Sequence, residues 1–186
     1  MFGSTDLRRL GSHRTVDSVW GTMVTLAVAL IAAAFLCALV AGFVFGFAVV
    51  VMPGIGTLND REFLRAFQAV DGVIQRGQPL FGLVWLGSAV AVLIAVAVGM
   101  GHLDGLDRFV LLAAGLIYLL GVQLPTFAVN VPLNNRLQKL DLDSVDDLAC
   151  QSIRGDFEPR WNRWNILRTV VAILVSLTLT ALIVRI

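Results

Sequence analysis

The sequence predicts an all-α integral membrane protein, a four-helix bundle with an amphipathic helix in the first long loop. Three observations carry this. Four long stretches hold no Asp, Glu, Lys or Arg. Of the 186 residues, 58% are hydrophobic and only 15% charged, against about 25% charged in an average soluble domain. The mean hydropathy is +0.84, so the chain carries more apolar surface than one core of this size can hide. Its length suits a single domain over residues 1–186.

The charge-free stretches run from Asp17 to Asp60, from Arg76 to Asp104, from Arg108 to Arg136 and from Arg168 to Arg185. About 20 mostly apolar residues suffice to cross roughly 30 Å of hydrocarbon. The spans therefore fall near residues 20–50, 80–101, 109–131 and 166–184. The fourth is short, but Trp164 extends it as an interfacial aromatic and Arg168 by snorkelling. The first run is too long for a cleaved signal peptide and lacks a clear small-residue cleavage site.

Four crossings put both termini on one side and the long connections, 52–79 and 132–165, on the other. The hairpin at 102–108 is short, so the second and third spans are antiparallel neighbours. Arg8, Arg9 and Arg14 flank the first span and favour a cytoplasmic N-terminus; the larger basic count of the two long connections favours the reverse. The expectation is the plasma (inner) membrane of a bacterium, with the N-terminus cytoplasmic.

In the first span, Ala34, Ala38, Gly42 and Gly46 recur every four residues and line one face. Small residues in such a row let helices approach closely in lipid. The seam suits packing inside the bundle, or contact with a second copy or a membrane partner. Met52-Pro53-Gly54-Ile55-Gly56 reads as the stop of this helix. Asn59 with Glu62 then reads as a capping box opening an amphipathic helix over 60–75. Phe63, Phe67, Val70 and Ile74 share its apolar face, fit to lie on the interface or to cap the bundle. Gly77 and Pro79 end it.

Two polar clusters border the second long connection. At the close of the third span, Asn130 and Asn134 lie four residues apart around Pro132, which frees the carbonyl of Ala128. Such a patch suits a polar pocket or a helix-end lock. Before the fourth span, Trp161, Asn165 and Arg168 fall at helical spacing on one face. An aromatic belt explains the tryptophans but not the asparagines. The two clusters lie on the same membrane side, where they can converge at one bundle mouth.

Several functions find no support. The net charge of +1 gives no case for nucleic acid. Cys37 and Cys150 read as unpaired. His13 and His102 are scattered and no span holds a ligand cluster, so no metal site is expected. A transporter ranks last, because the spans show neither inverted repeats nor buried ionisable residues.

The Met-Pro-Gly turn, the amphipathic helix with Phe63 and Gln68, the Asn130-Val-Pro-Leu-Asn134-Asn135 stretch and the Arg160-Trp161-x-x-Trp164-Asn165-x-x-Arg168 run together resemble one family. It is the anthrone oxygenase-like family of small four-helix membrane proteins, and the likeness covers roughly residues 25–184. The chain departs from the family pattern at Asp71, where asparagine is usual. The resemblance implies oxidation of an anthrone to an anthraquinone by molecular oxygen, without metal or flavin. No cofactor is therefore expected, and the small-molecule partner would be a hydrophobic aromatic compound, anthrone- or hydroquinone-like. An anthrone that loses a proton becomes an electron-rich enolate, which reacts directly with oxygen. The catalytic candidates are Asn130, Asn134 and Asn165 as oxyanion donors and Arg168 as the positive charge. Asn135, Trp161 and Trp164 are the substrate-binding candidates, the tryptophans by stacking. No general base stands out. The alternative is a non-catalytic membrane scaffold that docks partners through the small-residue seam.

Overall fold

The computed structural model of the protein describes the backbone of residues 4–186 and the side chains of residue 21 and of residues 23–186. The side chains of Arg8, Arg9, His13 and Arg14 lie outside the described residues. Everything described is helix or short link. Helix α1 (Ser4–Gly46) continues through a π-helical turn (Phe47–Val51) into the short α2 (Met52–Gly56). The amphipathic α3 (Asp60–Gln75) and the second span α4 (Pro79–Met100) follow. Helix α5 (Gly105–Tyr118) continues through two π-helical turns (Leu119–Gln123 and Thr126–Asn130) into α6 (Val131–Gln138). The last helix, α7, runs unbroken over Asp147–Arg185. Four continuous segments are long and apolar enough to cross a membrane: Met23–Gly56, Pro79–Met100, Gly105–Gln138 and Asp147–Arg185.

The protein is thus an integral membrane helical bundle. Its outer surface is what lipid requires: Val28 and Phe35 on α1, Leu83 and Leu93 on α4, Leu116 on α5 and Leu174 on α7 are all exposed. A water-soluble chain would aggregate through such a surface. Inside, Leu30, Cys37 and Val44 of α1 pack with Val92, Leu111, Ala172 and Leu179. Gly121 lets the π-helical turn after α5 approach α7 closely: a Cβ there would stand 2.8 Å from Val171 Cγ1.

Two sequence expectations fail for one reason. Proline was expected to stop the first helix at Pro53 and to end the third span near Pro132. Both helices continue. The N–H groups of Met52, Leu124 and Val131 bond to the carbonyls of Phe47, Leu119 and Thr126, five residues back. Each of these residues immediately precedes a proline. Proline lacks an N–H, and its ring crowds the carbonyl four residues earlier. Widening the preceding turn to π geometry relieves the clash and keeps the helix going. The predicted long connection 132–165 is accordingly mostly helix, because Asp146 caps α7 at Ala149 N (2.7 Å), well before the apolar run.

Helix α3 begins at the expected cap, where Asn59 Oδ1 accepts from Glu62 N at 2.9 Å. It ends at Gly77, whose φ of +85° excludes most side chains. Of its two expected roles it takes the second and caps the bundle. Phe63, Leu64 and Phe67 form a second apolar core with Leu133, Leu137, Phe157 and Trp161. Polar pins hold it there. Gln68 Nε2 donates to the carbonyls of Leu137 (2.8 Å) and Leu140 (3.0 Å), and Gln138 Nε2 donates to the carbonyl of Gln68 (2.9 Å). Arg154 of α7 bonds to the carbonyls of Gly56 and Leu58, pairs with Asp60 and Glu158, and lies over the Phe63 ring.

The small-residue seam faces outward for part of its length. Ala34 is buried, but Ala38 and Gly42 are exposed and border a shallow groove with Ile173, Ser176 and Leu177 of α7.

Candidate functional site

Between the membrane core and the cap core lies a polar layer. Among the described residues, the buried polar side chains are Asp71, Ser88, Gln123, Thr126, Asn130, Asn165, Arg168 and Thr169. Five of them, Asp71, Thr126, Asn130, Asn165 and Arg168, line one cavity of about 270 Å³. Aromatic rings supply much of the remaining wall, chiefly Phe47, Phe67, Trp85 and Trp161.

Helix α7 presents Trp161, Asn165 and Arg168 on its inner face, each less than 5% exposed. Arg168 Nη1 donates to Thr126 Oγ1 and Nη2 to Asn165 Oδ1, both at 3.0 Å. Its guanidinium carbon stands 5.8 Å from the Trp161 ring centroid and 6.0 Å from that of Trp85. Asn165 Nδ2 donates to the Val44 carbonyl at 3.0 Å, which ties α7 to α1. No described carboxylate lies within ion-pair distance of Arg168. A charge buried in the protein without a counter-charge is expensive, and an ionisable residue within a membrane-spanning segment is by default functional.

The α5–α6 segment supplies the opposite wall. The last π-turn directs Thr126 and Asn130 inward, as π-turns at functional sites often do. Asn130 Nδ2 reaches the Trp161 carbonyl at 3.4 Å. One helical turn later, Asn134 Oδ1 accepts the Trp161 indole N–H at 2.9 Å, and its Nδ2 donates to Asp71 Oδ1 at 2.7 Å.

Asp71 closes the cavity from α3. It is 4% exposed. Its other oxygen, Oδ2, accepts from Gln75 Nε2 (2.8 Å) and Gln138 Nε2 (3.0 Å). All three donors are neutral amides, and no described cation pairs with it.

Three cavity residues keep a buried polar atom with no partner among the described residues: Trp85 Nε1, Asn130 Oδ1 and Arg168 Nε. Each unpaired group costs about 1–3 kcal/mol. Two donors and one acceptor in the cavity wall are thus left without a partner among the described residues.

The arrangement brings together Asn130, Asn134, Trp161, Asn165 and Arg168. It sets Asn135 at the exposed rim and leaves Trp164 half-buried and outside the cavity lining. The expectation that no span buries an ionisable residue fails at Arg168. Sequence reasoning also missed Asp71, Trp85, Phe47 and Thr126. Only Asp71 left a signal, an acidic residue in register with Phe63, Phe67 and Ile74 on an apolar face. Among the described residues, no three His, Cys, Asp or Glu side chains cluster as metal ligands.

The sequence model of the anthrone oxygenase family matches residues 71–178. The chain belongs to the anthrone oxygenase family. The matched segment begins at Asp71 and includes all the cavity residues of α4 to α7. No match emerges among curated proteins or among solved structures. The four-helix membrane architecture expected from the resemblance is the one found.

Proposed function

We propose that the protein is a cofactor-independent oxygenase of flat, hydrophobic aromatic substrates of the anthrone or hydroquinone type. One observation carries the reading: a carboxylate and a guanidinium, neither paired with an opposite charge among the described residues, line the same aromatic-walled cavity. The substrate ring stacks against Trp161 or Trp85. Asp71 takes a proton from the methylene opposite the carbonyl, and the negative charge moves to the carbonyl oxygen. Arg168, with the amides of Asn130 and Asn165, stabilises that oxyanion. The electron-rich carbon then bonds to molecular oxygen in two one-electron steps, and the peroxide takes up a proton. Loss of water from this hydroperoxide breaks the O–O bond and the remaining C–H bond, leaving the second carbonyl. The sum is anthrone plus oxygen giving anthraquinone plus water. Asn134 positions both Asp71 and Trp161, and Asn135 sits where substrate or product passes the rim. Trp164 has no part in this scheme.

The test is oxygen uptake by the detergent-purified chain with a panel of anthrones and hydroquinones. One oxygen consumed per anthrone, with matching anthraquinone absorbance, is expected. No turnover with any member of the panel overturns the reading. Full activity in both Asn134→Ala and Arg168→Ala overturns the site.

The exposed groove at Ala38 and Gly42 favours a second reading, a scaffold that docks another copy or a membrane partner. A native-mass measurement tests it: an oligomer that Gly42→Ile dissociates supports the scaffold.

A further inference from the structure

The cavity shares a wall with a second, larger space. A groove of about 560 Å³ runs between α1, the end of α3 and the start of α4. Phe43, Phe47, Ile74, Phe81 and Trp85 border both spaces. The aromatic members line the boundary between the two spaces. Phe43 lies 5.0 Å from Phe47 and 5.2 Å from Phe81, and Phe81 stacks on Trp85 at 5.3 Å. On its outer side the groove is bounded by Leu39, Val73 and Leu80, which are 41%, 50% and 66% exposed. In a membrane bundle these side chains face lipid.

The two spaces differ sharply in chemistry. The cavity holds a carboxylate, a guanidinium and several amides. Apart from the Trp85 indole, the groove's polar side chain is Gln78, whose Oε1 caps α4 at Phe81 N (2.6 Å). Its remaining lining is apolar and suits an aliphatic chain. The groove adjoins, through the five shared residues, a cavity lined by polar groups.

We infer that the substrate is an amphiphile, with its flat aromatic head in the polar cavity and an aliphatic tail in the apolar groove open to the bilayer. This rests on the cavity being the oxygenase head site and adds the substrate class. A tail-bearing hydroquinone or anthrone dissolved in the membrane enters sideways, head first, without leaving the apolar phase. An ordinary lipid chain is the competing occupant of the groove, and the experiment separates the two.

The probe is an alkyl hydroquinone with a photoreactive diazirine at the tail end, added to the full chain in nanodiscs. Irradiation is expected to label the stretches around Leu39, Val73 and Leu80. Excess unlabelled alkyl hydroquinone should suppress the labelling, while an alkane of equal length should not. Equal suppression by the alkane, or labelling elsewhere on the surface, overturns the inference. This readout needs no turnover, so a failed oxygenase assay and a failed tail site are told apart. Val73→Trp supplies a second reading by filling the groove. It should raise the KM of a tailed substrate relative to a tail-less one at least about tenfold, the equivalent of roughly two methylenes turned out of the groove. An unchanged ratio overturns the inference.

Discussion

The Asn134 amide donates to the Asp71 carboxylate at 2.7 Å, and the same side chain accepts the Trp161 indole N–H at 2.9 Å. One asparagine on α6 thereby fixes a side chain from the cap helix against one from the last span. The cap and the bundle are joined through the site itself. Asn134→Ala leaves both partners short of a hydrogen bond. Stability should fall by about 1–3 kcal/mol. Denaturation in mixed detergent, followed by tryptophan fluorescence, measures it. In a double-mutant cycle with Trp161→Phe the loss in the double variant should be smaller than the sum of the two single losses.

Arg168 predicts a separation of stability from activity. Burying a guanidinium without a carboxylate is costly, and replacing a buried charge by an apolar group of similar size is often neutral or stabilising. Arg168→Met should keep its midpoint of unfolding close to that of the parent. Oxygen uptake should drop by about 100-fold or more, the usual result of removing an oxyanion donor. Parallel melting and rate measurements check both halves. A large loss of stability with a small loss of rate would mark Arg168 as a structural strut.

Asp71→Asn preserves size and removes the proposed base. A positioned base contributes about 10²–10⁴-fold, so kcat should fall by that order while KM changes little. Raising the pH should then rescue the variant selectively, because the substrate ionises in solution and no longer needs the carboxylate. The sign is specific: the ratio of parent to variant activity shrinks as pH rises. A ratio that stays constant across the profile removes Asp71 from the proton transfer.

Pro132→Ala tests the π-turn. With an N–H restored at 132, the helix can return to ordinary α geometry, and Asn130 would rotate away from the cavity. Stability should hold or rise, since interior proline costs about 3 kcal/mol in a helix. Activity should fall. Circular dichroism, melting and oxygen uptake on the same sample give the three readings.

The spans and the polar mouth were legible because they rest on local rules. Charge-free stretches mark hydrocarbon, and a spacing of four or seven puts Asn130 with Asn134, and Trp161 with Asn165 and Arg168, on one helix face. Asp71 was not legible in the same way. Its burial comes from α6 and α7 packing over it, partners some 60 to 90 residues away in sequence. The prolines misled for a physical reason: a ring that stops a soluble helix is absorbed here by a widened turn. Trp164 shows the converse limit, since spacing near the site did not turn its ring into the cavity.

Arg168 lies 17 residues before Arg185 in an unbroken helix, about 26 Å along its axis. The hydrocarbon layer is roughly 30 Å thick. The cavity therefore sits near the boundary between oil and water, not at mid-depth. Molecular oxygen and polycyclic aromatics both concentrate in the oil, and protons exchange in the water. Under the proposed function, a site at that depth would draw both reactants from one phase and release the water it forms to the other. Its supply is then set by how the reactants partition between the two phases, and not by their concentration in water.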